Sequence, residues 1–158
     1  MPLSRSGARL ADARRLASAR YENIASRYTP TDVTVTYRRR LTGCAWVKGR
    51  RIAAPRPVTR RALHVYLHEI AHVVLGHMHE KSEHVQEYEA ELWAFEVMRA
   101  EGVSIPEKSL RRARDYVAYL VHQAYCTGLA VDENALRFSG YLSLPPELRG
   151  QAESASAA

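Results

Sequence analysis

Thr59-Arg60-Arg61-Ala62-Leu63-His64-Val65-Tyr66-Leu67-His68-Glu69-Ile70-Ala71-His72-Val73-Val74-Leu75-Gly76 is the stretch around which the chain organises itself. Leu63, Leu67, Ile70, Ala71 and Val74 recur at steps of three and four, which predicts a helix burying that face. Thr59 suits its N-cap, and Gly76 suits its end because glycine tolerates the left-handed backbone that stops helices. His68 and His72 then stand at i and i+4 on one face, with side chains ~5–6 Å apart. Two imidazoles so placed can grip one tetrahedral ion. Glu69 lies one step round the helix, beside such an ion, where its carboxylate can take a proton from a water and later pass it to a leaving amine. With seven histidines in 158 residues, a His-Glu-x-x-His match arises by accident in roughly 2–3% of shuffled chains. That makes the motif worth pursuing.

Upstream, Leu10, Ala13, Ala17, Tyr21, Ile24 and Tyr28 form an amphipathic stripe over residues 6–28, closed by Thr29-Pro30. Val33, Val35 and Tyr37 then alternate with polar residues, which predicts a strand. A second β-prone run covers Leu41 to Val47, and a third, Ile52-Ala53-Ala54, is cut off by Pro55-x-Pro57. Close Gly and Pro punctuation predicts that the three form a small antiparallel sheet. Downstream, one helix is expected from Ser82 to about Ala100, closed by Gly102. Another starts at Ser104-Ile105-Pro106, with Leu110, Ala113, Val117, Leu120, Val121 and Ala124 inward, and ends near Gly128. A short helical turn is expected between Val131 and Leu144. The organisation read from this pattern is an N-terminal helix over 1–29, one α+β domain with four to five helices over 30–145, and a disordered tail over 146–158.

A catalytic zinc site takes three protein ligands and keeps one position open. His77 and His79 follow the motif closely, but the extended His-Glu-x-x-His-x-x-Gly-x-x-His pattern demands Gly at 75 and His at 78. The chain has Leu75 and Met78, so both are expected on the loop surface, with His77 kept as a possible ligand. The next helix carries Glu87, Glu89 and Glu91, whose mutual repulsion a cation would relieve. Glu87 and Glu91 share a face, while Glu89 points ~200° away from Glu87. Glu87 is therefore the first candidate ligand, with Glu89 or His77 as alternatives. Glu91 is a candidate to support a ligating histidine through its other nitrogen. His64, one turn before His68, belongs either behind the metal or on the surface.

His68-Glu69-Ile70-Ala71-His72-Val73-Val74-Leu75-Gly76-His77, followed by Glu87-x-x-Ala90-Glu91-x-x-Ala94-Phe95, resembles the gluzincin arrangement, and more closely the ImmA/IrrE-type metallopeptidases of bacteria, phages and mobile elements. The resemblance covers about residues 30–100. It implies a zincin-like fold, Zn2+ held by His68, His72 and Glu87, Glu69 as general base, and cleavage of a protein substrate such as a transcriptional repressor. It also implies that strand Ile52-Ala53-Ala54 pairs with an extended substrate. Family members usually carry Asn or Asp where this chain has Glu91, and a Phe-Ala pair where it has Trp93-Ala94. The first departure keeps Glu89 in contention. For an oxyanion donor, Tyr116, Tyr119, His122 and Tyr125 are available on the helix after Pro106, with His122 the choice.

Bulk properties narrow the setting. Hydrophobic content of 46% and charged content of 25% suit a globular protein. No apolar run is long enough to cross a bilayer, and no secretory signal is visible. Cys44 and Cys126 are too few for a disulfide scaffold and are expected reduced, which predicts a cytoplasmic protein. The net charge of +6 clusters in Arg5–Arg27 and again around Arg38-Arg39-Arg40. It opens a second reading, a zinc-containing binding module whose basic face meets DNA or an acidic protein.

Overall fold

The computed structural model describes residues 5–78 and 81–140. His79, Glu80 and the expected tail at 146–158 lie outside the described residues. The elements follow in the order α1 (Arg5–Tyr28), β1 (Thr34–Arg38), β2 (Cys44–Trp46), β3 (Arg51–Pro55), α2 (Arg60–Val74), α3 (Glu83–Ala100), α4 (Glu107–Cys126) and α5 (Glu133–Ser139). Among the described residues, five helices and a three-stranded sheet make an α+β fold, as the sequence pattern predicts.

The sheet corrects the expectation of purely antiparallel pairing. Its order is β1-β3-β2, with β2 antiparallel to β3 but β1 parallel to it. The turn from Val47 to Arg50 closes a hairpin and fixes β2 against β3. Residues 39–43 instead carry the chain from one edge of the sheet to the other, past the C-terminal end of β3, so β1 and β3 run the same way. Period-two alternation reveals a strand without revealing its partner's direction. The central strand is therefore β3; its Ile52, Ala53 and Ala54 are buried, the first two paired on both sides and Ala54 with β1 alone.

Helix α2 lies against this sheet. Thr59 caps it by accepting a hydrogen bond from the Ala62 N–H. Leu63, Leu67 and Ile70 are wholly buried and join Ile24, Ile52, Ala54 and Met98 in the main core. The buried valine at the helix end is Val73, whereas Val74 is 44% exposed, so the apolar face ends one residue earlier than the periodicity suggests. In α1 only the second half of the stripe is used. Ile24 is buried and Tyr21 and Tyr28 pack on the core, while Leu10 and Ala13 stay exposed. Glu101 fastens that end, accepting hydrogen bonds from Arg27 at 2.5 Å and from the Tyr28 hydroxyl at 3.1 Å. A second, smaller core joins α4 and α5 through Val117, Val121 and Leu136, with Tyr88 of α3 packed on it.

Candidate metal centre

α2 and α3 lie side by side, and between them His68, His72 and Glu87 converge. His68 Nε2 is 3.2 Å from His72 Nε2 and 3.2 Å from Glu87 Oε2, and His72 Nε2 is 3.4 Å from Glu87 Oε1. Zinc–ligand bonds of ~2.0–2.1 Å in a tetrahedron put the ligand atoms ~3.3 Å apart. The two imidazole nitrogens stand at that spacing, and each has one of the two Glu87 oxygens at a similar distance, with one ligand atom from each residue within 4.8 Å of the others.

What stands behind each histidine decides which nitrogen faces this cradle. His77 Nε2 lies 2.9 Å from Glu89 Oε2, so it donates its proton there. Burial holds the His77 imidazole below its ordinary pKa against the pull of Glu89, and a neutral ring then leaves Nδ1 as an acceptor. His77 Nδ1 meets His72 Nδ1 at 2.9 Å, so His72 donates from Nδ1 and turns the bare Nε2 to the cradle. Burial, helped by the charge of His68, depresses His72 to about 4, which keeps it neutral. His68 has no such hydrogen bond behind it. Its Nδ1 is enclosed, has no aligned hydrogen bond, and lies 3.3 Å from Glu91 Oε1 as a charge contact. Glu91 in turn accepts a 2.6 Å hydrogen bond from His64 Nε2. His68 Nε2 thus faces both the bare His72 Nε2 and the Glu87 carboxylate, a place for positive charge carried either by the His68 proton or by a cation among the three. Burial works against charging His68, yet Glu87 and Glu91 outweigh it and raise its pKa well above normal. The donor set is one that holds positive charge, and it fits a divalent ion.

The alternative ligands are thus placed behind the cradle. Glu89 bonds His77 and Lys81, the latter at 2.7 Å, and points away from the cradle. His77, expected on the loop surface, is only 3% exposed. Gly76 brings it there: with φ +66° it ends α2 in a turn where the His77 N–H donates to the His72 carbonyl at 3.0 Å. His64 is buried, stacked on Phe95 at 4.8 Å between ring centres.

Glu69 is 7% exposed and faces the cleft beside the cradle without a side-chain hydrogen bond among the described residues. Burial lifts its carboxyl to about 7, with Glu87 and Glu91 adding and His68 and Arg38 opposing. A cation nearby favours its ionised form. Sequence reasoning missed its neighbour Gly43. A methyl group built on Gly43 would fall within 2.5 Å of Glu69 Cδ, so the backbone of the 39–43 crossing leans directly on this carboxylate. The sequence pattern places Gly43 inside the β-prone run Leu41 to Val47, whereas the strand begins only at Cys44.

The cleft, about 1200 Å³ in volume, runs between the β2 edge, α2 and α4. β2, not β3, supplies its strand edge, which corrects the assignment of substrate pairing to Ile52, Ala53 and Ala54. β1 flanks all three residues and β2 flanks Ile52 and Ala53, so neither side of β3 is left as an edge for a further strand. His122 is also displaced from its expected role: it is exposed, has the Cys126 sulfur 3.7 Å away, and does not line the cleft. Tyr116 lines it instead. Six residues at ~100° each put His122 ~120° round the helix from Tyr116. Burial, and then the charge of Glu87, raise the Tyr116 hydroxyl pKa, so it stays protonated and able to donate. No protein-family model, no curated protein and no solved structure matches this chain.

Proposed function

We propose that this chain is a zinc-dependent endopeptidase. One observation carries the reading: His68, His72 and Glu87 converge with one ligand atom from each within 4.8 Å of the others, and the buried Glu69 carboxylate stands on the cleft side of them. A zinc ion held there supplies Lewis acidity, polarising a peptide carbonyl and making a neighbouring water easier to deprotonate. Glu69 takes that proton on its carboxylate and returns it to the departing amine nitrogen. The Tyr116 hydroxyl is the donor best sited to meet negative charge growing on the carbonyl oxygen. The open edge of β2, Cys44–Trp46, offers backbone groups to an extended substrate in place of Ile52–Ala54. A regulatory protein such as a repressor is the substrate class suggested by the resemblance to ImmA/IrrE-type peptidases. Two free cysteines and no described helix long and apolar enough to cross a membrane accord with a cytoplasmic setting.

Elemental analysis of protein purified without chelator tests the metal. Wild type should carry about one zinc per chain, and His72→Ala and Glu87→Ala should each lose it. Glu69→Gln should keep the zinc and lose hydrolysis. Zinc near zero in the wild type would end the proposal, and so would full activity in Glu69→Gln.

A further inference from the structure

The metal cradle makes the floor of the cleft acidic, but its rim has the opposite sign. Lys48, Arg51, Arg61, Lys108 and Arg112 all line the cleft and all are exposed. None of the five is in an ion pair among the described residues, whereas Arg27, Arg50 and Arg56 elsewhere each sit against a carboxylate. Lys81, a sixth cation in the lining, is already taken by Glu89. Away from Glu69, Glu87 and Glu91, the only carboxylate in the described lining is Glu83. Five unpaired cations face one carboxylate across a concave surface, where field lines concentrate.

We infer that the cleft takes an acidic polypeptide segment, with carboxylates flanking the bond at the metal. The inference rests on the peptidase reading for the position of that bond, and on the lining alone for the sign of the charge. Two features favour polypeptide over nucleic acid. The free edge of β2 can extend its ladder only with another peptide backbone. The three carboxylates at the floor repel phosphates while leaving the rim attractive. The Arg60 guanidinium donates to the Ser104 hydroxyl at 2.5 Å, so α2 and the segment leading into α4 start at the same end of the cleft. Arg61, Lys108 and Arg112 therefore gather there. Arg61 precedes His68 by seven residues, ~10 Å along the helix. An extended peptide covers that in about three residues. Acidic side chains are thus expected about three positions from the cleaved bond, on one side of it.

The test uses the full chain, zinc-loaded, in two arms. In the first, Glu69→Gln protein is titrated into fluorescein-labelled dodecapeptides of alternating Glu and Ala or alternating Lys and Ala, and into a twelve-nucleotide single strand. The Glu peptide should bind roughly tenfold or more tighter than the Lys peptide and tighter than the oligonucleotide. Its affinity should fall as salt rises from 50 to 200 mM. Arg61→Glu/Lys108→Glu/Arg112→Glu should weaken it by roughly tenfold or more, the sum expected of three exposed charge pairs. Should that variant fail to fold, Arg61→Gln and Lys108→Gln read separately, with the salt titration of the parent protein, give the same answer. In the second arm, wild type cleaves a peptide library and products are read by mass spectrometry, with acidic residues expected about three positions from the cut. Equal binding of the two peptides, tighter binding of the oligonucleotide, or cleavage with no acidic preference would each overturn the inference. Acidic-peptide binding without any cleavage would instead remove the peptidase reading and leave the charge preference standing.

Discussion

Gly43 sets the tightest condition on the site. Any side chain there would strike the Glu69 carboxylate, and Glu69 has no hydrogen bond of its own to resist displacement. Gly43→Ala should therefore keep zinc but move the carboxylate. A misplacement of about 1 Å costs on the order of 10²-fold in rate, and overpacking costs ~1–3 kcal/mol of stability. Turnover and melting temperature of the zinc-loaded variant check this, and an unchanged rate would show that the contact relaxes freely. His77 sets the second condition. Because it fixes the tautomer of His72, His77→Ala should weaken zinc binding by ~10–100-fold, the usual effect of removing a group behind a ligating histidine. Competition against a zinc-sensing dye measures it. Loss no greater than for an exposed histidine such as His122 would refute the role.

At the scale of elements, α2 carries almost everything: its inner face builds the core while its other face holds His68, Glu69 and His72. Its start, end and motif were legible because capping residues and a 3.6-residue period are local signals. The valine pair at its end was not legible, since two adjacent apolar residues fit the period about equally well and only packing separates them. Val73→Ala should cost roughly 2 kcal/mol by opening a cavity, and Val74→Ala should stay within ~0.5 kcal/mol. Urea denaturation of the two variants distinguishes them, and equal losses would contradict the packing. Strand positions were equally readable, but the parallel β1–β3 pair was not, because direction depends on how residues 39–43 cross the sheet. That same hidden crossing brought Gly43 to Glu69 and left β2 as the open edge. His122 failed as a candidate for a related reason: residue type made it attractive, but helical phase put Tyr116 in the cleft. Glu91 and His64 could be suspected from spacing; the turn that folds His77 under His72 could not.

For the whole molecule, His84 ties α3 to the start of α5. It is 2% exposed, and its Nε2 accepts the Asp132 N–H at 3.1 Å, just before α5 begins. Burial depresses its pKa below the ordinary 6.5, with Asp132 opposing. The unfolded chain then binds a proton that the folded chain refuses, so stability declines as pH falls below ~6.5 toward the lower folded value. Melting temperatures between pH 7.5 and 5.5 should fall more steeply for wild type than for His84→Gln, which keeps an acceptor but cannot titrate. Parallel slopes would rule His84 out as the cause.

The two apolar cores have one further effect. The sheet edge and α2 rest on one core, α4 rests on the other, and α3 touches both. The two sides of the cleft are therefore anchored in separate bodies, with α3 as the shared spine. The Arg60–Ser104 hydrogen bond lies on the side of the first core, since Val103 and Ile105 on either side of Ser104 both pack there. A shift of α4 that admits a bulkier chain therefore leaves His68, His72 and Glu87, all on α2 and α3, where they are.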